Sequence, residues 1–214
     1  MDEEIIIIDS NTRNEKIRNF FINNKKSLIA SVSIVIVILA SYFSLKIIKE
    51  RNKSELANKF NLVIEEFKSV EKTETIEKLI NVIEKQDTTY SPLALYYILD
   101  NNLIENSTEI NHLFDVLINE TNLENEIKNL IIYKKALYNS EFINENELIK
   151  ILNPIINSNS IWKSHALYLV AEYFYAKNEK QKAEEFFKKI LLLPNANNEI
   201  EVETRKRISR DLGE

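Results

Sequence analysis

The side chains able to do chemistry are few and far apart in this sequence. His112 and His165 are its only two imidazoles. Neither has a carboxylate or a second His at a ligand spacing such as HExxH, so zinc-type coordination and general-base work lack a second member. The chain has no cysteine, which excludes thiolate nucleophiles, thiolate metal sites and disulfides. Its one glycine is Gly213, so Gly-rich phosphate cradles and dinucleotide fingerprints are absent. Acidic residues are plentiful but mixed with lysine, as in Glu179-Lys180-Gln181-Lys182 and Glu184-Glu185. That pattern fits solvated helix faces with i,i+4 pairing better than paired catalytic carboxylates. The expectation is a chain that is no enzyme and needs no metal, cofactor or small-molecule substrate. Aromatic chemistry is what remains. Tyr96, Tyr133 and Tyr168 recur 37 and 35 residues apart, and tyrosine offers contact area plus a hydroxyl at low entropic cost, which suits protein recognition.

The elements that must position these residues begin with a membrane-type segment. Ser27 to Leu45 (SLIASVSIVIVILASYFSL) holds no charge and is bounded by Lys25-Lys26 and Lys46. As a helix its nineteen residues reach ~28 Å, close to the ~30 Å hydrocarbon core of a bilayer. Eleven of them are Leu, Ile, Val or Phe, worth ~3–7 kcal/mol on an insertion scale. A buried core helix would be shorter and carry a polar stripe. A cleaved signal peptide would have a shorter leader and small residues at the cut site, whereas Ala40-Ser41-Tyr42-Phe43-Ser44 lacks an A-x-A pattern. An uncleaved anchor is expected. Its orientation is open on charge alone: Arg13, Lys16, Arg18, Lys25 and Lys26 precede the run, and Lys46, Lys49, Arg51, Lys53 and Lys59 follow it.

The division that follows is 1–26 as a tail, 27–45 as the span and 46–214 as one ordinary domain. The tail combines Ile17, Phe20 and Phe21 with Arg18, Lys25 and Lys26, as an amphipathic segment lying at lipid headgroups would. Glu3 to Asp9 reads either as a docking strand or as unstructured. The net charge of −5 belongs wholly to the part after the span, which argues against nucleic-acid binding. A cysteine-free domain suits either side of a bacterial inner membrane.

Beyond the span the apolar periodicity is helical and no alternating strand run occurs, so the domain is expected to be all-α. The span should continue as helix to about Val70. Further helices are predicted at 75–86, from Ser91 as N-cap with Pro92 first to about Glu105, at 108–119, from a Thr121/Glu124 capping box to about Asn139, and from an Asn144/Glu147 box to Leu152 before Pro154. The last three are placed at 160–177, 179–193 and 198–212. The prolines are expected at helix boundaries only. Glu199, Glu201 and Glu203 lead the final helix and Arg205, Lys206, Arg207 and Arg210 close it, as the helix macrodipole prefers.

The helices pair, and the pairs repeat. Leu95-Tyr96, Ile132-Tyr133 and Leu167-Tyr168 match, as do Leu99, Ala136 and Ala171; Leu148/Ala183 and Leu152/Phe187 keep the spacing of 35. A two-helix period of this length resembles the tetratricopeptide repeat, clearest in IWKSHALYLVAEYFYAKNEKQKAEEFFKKILLLP. Against that pattern Leu167, Val170, Ala171 and Phe174 fall on first-helix packing positions, and Ala183, Phe187 and Ile190 on second-helix ones. Asn178 stands where the family prefers glycine and is the next-best residue for a left-handed turn. The resemblance implies an α-solenoid of helical hairpins whose concave groove is faced by Tyr133, Tyr168, His165, Glu172 and Tyr175. These side chains either bind a partner or pack on neighbouring helices. An enzymatic reading would have to rest on Glu172 or His165.

The acidic extreme N-terminus, Lys16-Ile17-Arg18-Asn19-Phe20-Phe21 with Asn24-Lys25-Lys26, the single span and the degenerate repeats together resemble the ancillary SecYEG translocon subunit family. The stretch from Leu152-Asn153-Pro154 through Trp162 to Gly213 is most similar to alphaproteobacterial versions. That resemblance implies a single-pass inner-membrane protein, N-terminus cytoplasmic and repeats periplasmic, whose partners are the Sec translocon and periplasmic chaperones. An envelope scaffold for cell-wall synthesis or cell division is the other reading of an anchor joined to a non-catalytic repeat domain.

Overall fold

A computed structural model describes residues 2–67 and 71–212 of the chain, with side chains from residue 13 onward. It is all-helical: no strand occurs among the described residues, and the ten α-helices there are α1 (Asp2–Asn23), α2 (Lys25–Glu66), α3 (Lys72–Glu84), α4 (Tyr90–Asp100), α5 (Ser107–Asp115), α6 (Asn125–Asn139), α7 (Glu145–Ile156), α8 (Lys163–Ala176), α9 (Lys180–Leu191) and α10 (Asn198–Arg207). One-turn π-helical extensions follow α5 (Val116–Glu120) and α10 (Ile208–Leu212). The chain divides into two compact units, Met1–Glu55 and Leu56–Glu214.

In the first unit, Glu3 to Asp9 is part of α1, so that stretch is helical rather than a strand. Helix α2 is the one helix among the described residues long and apolar enough to cross a membrane by length and composition. Its Ile34, Val35, Ile36, Val37, Ile38 and Leu39 are all exposed. The hydroxyl of Ser31 donates back to the carbonyl of Ser27, which satisfies a polar group inside an apolar run without an outside partner.

The second unit opens with the last turns of α2, as the 3–4 residue spacing of Leu56, Phe60 and Val63 predicts; all three are buried. They join Leu79, Ile83, Leu95, Ile98, Leu113 and Phe114 in one core cluster. A second cluster holds Ile132, Ala136, Leu148, Leu152 and Ile155 together with Leu167, Val170, Ala171, Phe174, Ala183, Phe187 and Ile190. All seven residues placed on packing positions are therefore buried. Helix α6 serves both cores: Ile131 enters the first and Ile132 the second. Helices α3 with α4, α6 with α7, α7 with α8, and α8 with α9 lie side by side, and α10 rests on α8 and α9.

Several helix ends differ from the sequence reading, each for a tertiary reason. Ser91 is not a cap. Its buried hydroxyl donates to the carbonyl of Val82 at 2.9 Å, closing the end of α3, while Asp87 Oδ1 accepts from the N–H groups of Thr89 and Tyr90 and starts α4. Helix α4 stops at Asp100, short of Glu105, because Asn102 turns left-handed (φ 48°) and lets the Leu103 N–H reach the Ile98 carbonyl. Thr121 is buried and donates to the Val116 carbonyl instead of capping α6, whose N-cap is Glu124. The Asn144/Glu147 capping box forms as expected. Pro154 lies inside α7 rather than after it. The last turn tolerates the missing donor because Ile155, fully buried, holds that turn against the core. Asn178 is left-handed (φ 61°), as its place at the α8–α9 turn predicts.

Candidate functional site

The tyrosines that recur along the chain each meet a helix or turn later in the sequence. Tyr96 on α4 lies under the ammonium of Lys134 on α6, 4.4 Å from Nζ to the ring centre. Tyr133 on α6 stacks on Trp162 (6.1 Å, 19° between planes) and meets the edge of His165 on α8 at 5.9 Å. Trp162 and His165 are 5.1 Å apart, so the three rings form one cluster. Tyr168 on α8 packs edge-on against Phe187 of α9 at 5.5 Å. The i,i+4 geometry of α8 brings Tyr168, Glu172 and Tyr175 to the side that α10 covers.

Arg207 is the hub of that side. It donates to Glu172 Oε2 at 2.5 Å and to Asp211 Oδ2 at 2.9 Å, and its guanidinium lies 5.0 Å from the ring centre of Tyr175. Its hydrogen bond to Asp211 leads the effects that hold its pKa above the ordinary arginine value, and hydrogen bonds from Arg210 and then Arg207 hold Asp211 well below the usual carboxylate range. Burial raises the pKa of Tyr133 and pushes Tyr96 up to about 12. Burial likewise raises Tyr168, against the pull of Arg207. His165 is lowered by burial, with the Glu199 carboxylate opposing, and its Nδ1 is buried with no hydrogen-bond partner, as is Glu172 Oε1.

The five residues placed on the concave groove thus fall into two neighbouring groups. Tyr133 and His165 gather around Trp162, and Tyr168, Glu172 and Tyr175 around Arg207. His112 is exposed on α5, away from both. No group of three or more His, Cys, Asp or Glu able to hold a metal occurs among the described residues. The arrangement packs α6, α8 and α10 against one another. Comparison with family models, with curated proteins and with solved structures finds no match.

Sequence reasoning missed Trp162 and Arg207. Trp162 is the only tryptophan and sits 29 residues after Tyr133, a separation that only the turn of the chain between α7 and α8 converts into contact. Arg207 was accounted for by the macrodipole. Its neighbours do behave that way, Arg205 pairing Glu201 and Lys206 pairing Glu203 on α10 itself. Arg207 alone turns inward to Glu172 on another helix.

Proposed function

We propose that this chain is a single-pass membrane protein whose helical domain, built of tetratricopeptide-like hairpins in a short solenoid, is a non-catalytic adaptor. Its partners are the Sec translocon and periplasmic chaperones, and it holds them near the translocon exit on the periplasmic side of a bacterial inner membrane. The observation that carries the anchor is the exposed, uncharged run in α2. On an insertion scale its eleven large apolar side chains favour the bilayer by ~3–7 kcal/mol. The repeat reading is supported by the side-by-side helix pairs and by the burial of every residue placed on a packing position.

Two experiments test it. Reporters fused after Lys53 and at the C-terminus should both respond as periplasmic; a cytoplasmic domain would end the export reading. Affinity purification of the full chain from mild detergent should recover Sec components, and an intact protein that recovers none would leave the adaptor role without support.

A further inference from the structure

The second unit carries a cleft that none of the tyrosine clusters fills. It has a volume of about 440 Å³ and lies where α4, the turn after it and α6 meet. Ile98, Ile104 and Ile110 make its buried floor, and Leu99, Leu137 and Tyr138 its walls. Leu137 is 48% exposed, and the apolar surface runs on past the cleft through Phe142, 72% exposed and 6.5 Å from Tyr138. A compact small molecule would leave that extension uncovered, whereas a length of polypeptide would cover it. The rim is acidic. Asp100 and Glu105 line the cleft, both are exposed, and neither forms an ion pair among the described residues. The one lining cation, Lys134, already sits over the Tyr96 ring.

We propose that this cleft binds a peptide segment of a partner protein in which apolar residues enter the floor and flanking Lys or Arg residues meet Asp100 and Glu105. The proposal rests on the reading of the domain as a protein-binding adaptor and names the site and the chemistry of what it takes. The net charge of −5 on the part after the span draws the same kind of partner from a distance.

The test uses the full chain in zwitterionic nanodiscs, with empty nanodiscs as blank. The probe is a short acetylated fluorescent peptide with Leu-Phe-Leu at its centre and lysines at both ends, and its counterpart carries glutamates instead. Anisotropy should show saturable binding of the lysine peptide, roughly tenfold tighter than the glutamate one at low salt and less so at high salt. Leu137→Asp should abolish binding while leaving the thermal melt unchanged, since the side chain is half exposed. Asp100→Lys with Glu105→Lys should reverse the preference between the two peptides. Equal binding of both, no binding of either, or binding that survives Leu137→Asp overturns the proposal. If Sec components still co-purify in that event, the cleft is discarded and the adaptor stands; cleft binding without co-purification discards the adaptor reading instead.

Discussion

Ser91 shows how one hydroxyl can be worth more than its place in the sequence. The turn after α3 begins with Gln86 in a left-handed conformation (φ 54°), and the Val82 carbonyl is met by the Ser91 hydroxyl. Ser91 itself is fully buried. Ser91→Ala leaves that carbonyl without its partner, and the expected loss is about 1–3 kcal/mol, read as a lower denaturant midpoint with an unchanged slope. His165 gives a prediction in pH. Its folded pKa lies below the ordinary value of about 6.5 because burial disfavours the charged ring. The folded state therefore binds this proton later than the unfolded chain, and stability rises as pH climbs from the folded value to the ordinary one. Thermal midpoints followed from pH 7.5 down to 5 should fall less for His165→Gln than for the parent; coincident slopes would remove His165 from the account.

At the scale of elements, α10 with its π-helical turn is held by few apolar contacts and one charged hub. Ile200, Ile208 and Leu212 are only partly buried against the second core. Arg207 adds a charged tie to Glu172 on α8, and the Asn197 N–H at the start of α10 donates to the Ser164 hydroxyl. Arg207→Ala should cost about 1.5–3 kcal/mol, the range for hydrogen bonds to charged groups, and should raise amide exchange across 198–212 before it touches α3 to α6. The helices themselves were readable from periodicity, because a 3–4 residue apolar spacing needs no knowledge of the neighbour it packs on. Their ends were less so. Ser91 and Thr121 look like caps in one dimension and spend their hydroxyls on carbonyls of Val82 and Val116. The candidate site divides in the same way: the resemblance singles out Tyr133, His165, Tyr168, Glu172 and Tyr175, but which side chains answer them, Trp162 and Arg207, is set by tertiary contact.

For the molecule as a whole, the proposed anchor turns on the balance that would hold α2 in lipid. The apolar run is worth ~3–7 kcal/mol of insertion, while each arginine at the centre costs ~2.5–3.5 kcal/mol. Val35→Arg alone should leave insertion marginal. Val35→Arg with Leu39→Arg should move the protein from the carbonate-resistant to the extractable fraction; retention of the double variant would mean that something other than this run anchors the chain. A final consequence follows from α6, whose adjacent Ile131 and Ile132 turn to different cores, with Ile118 packed against both. That helix is a party wall. Neither side can melt without stripping packing from the other, so calorimetry of the second unit should trace a single peak where two independent cores would give a pair.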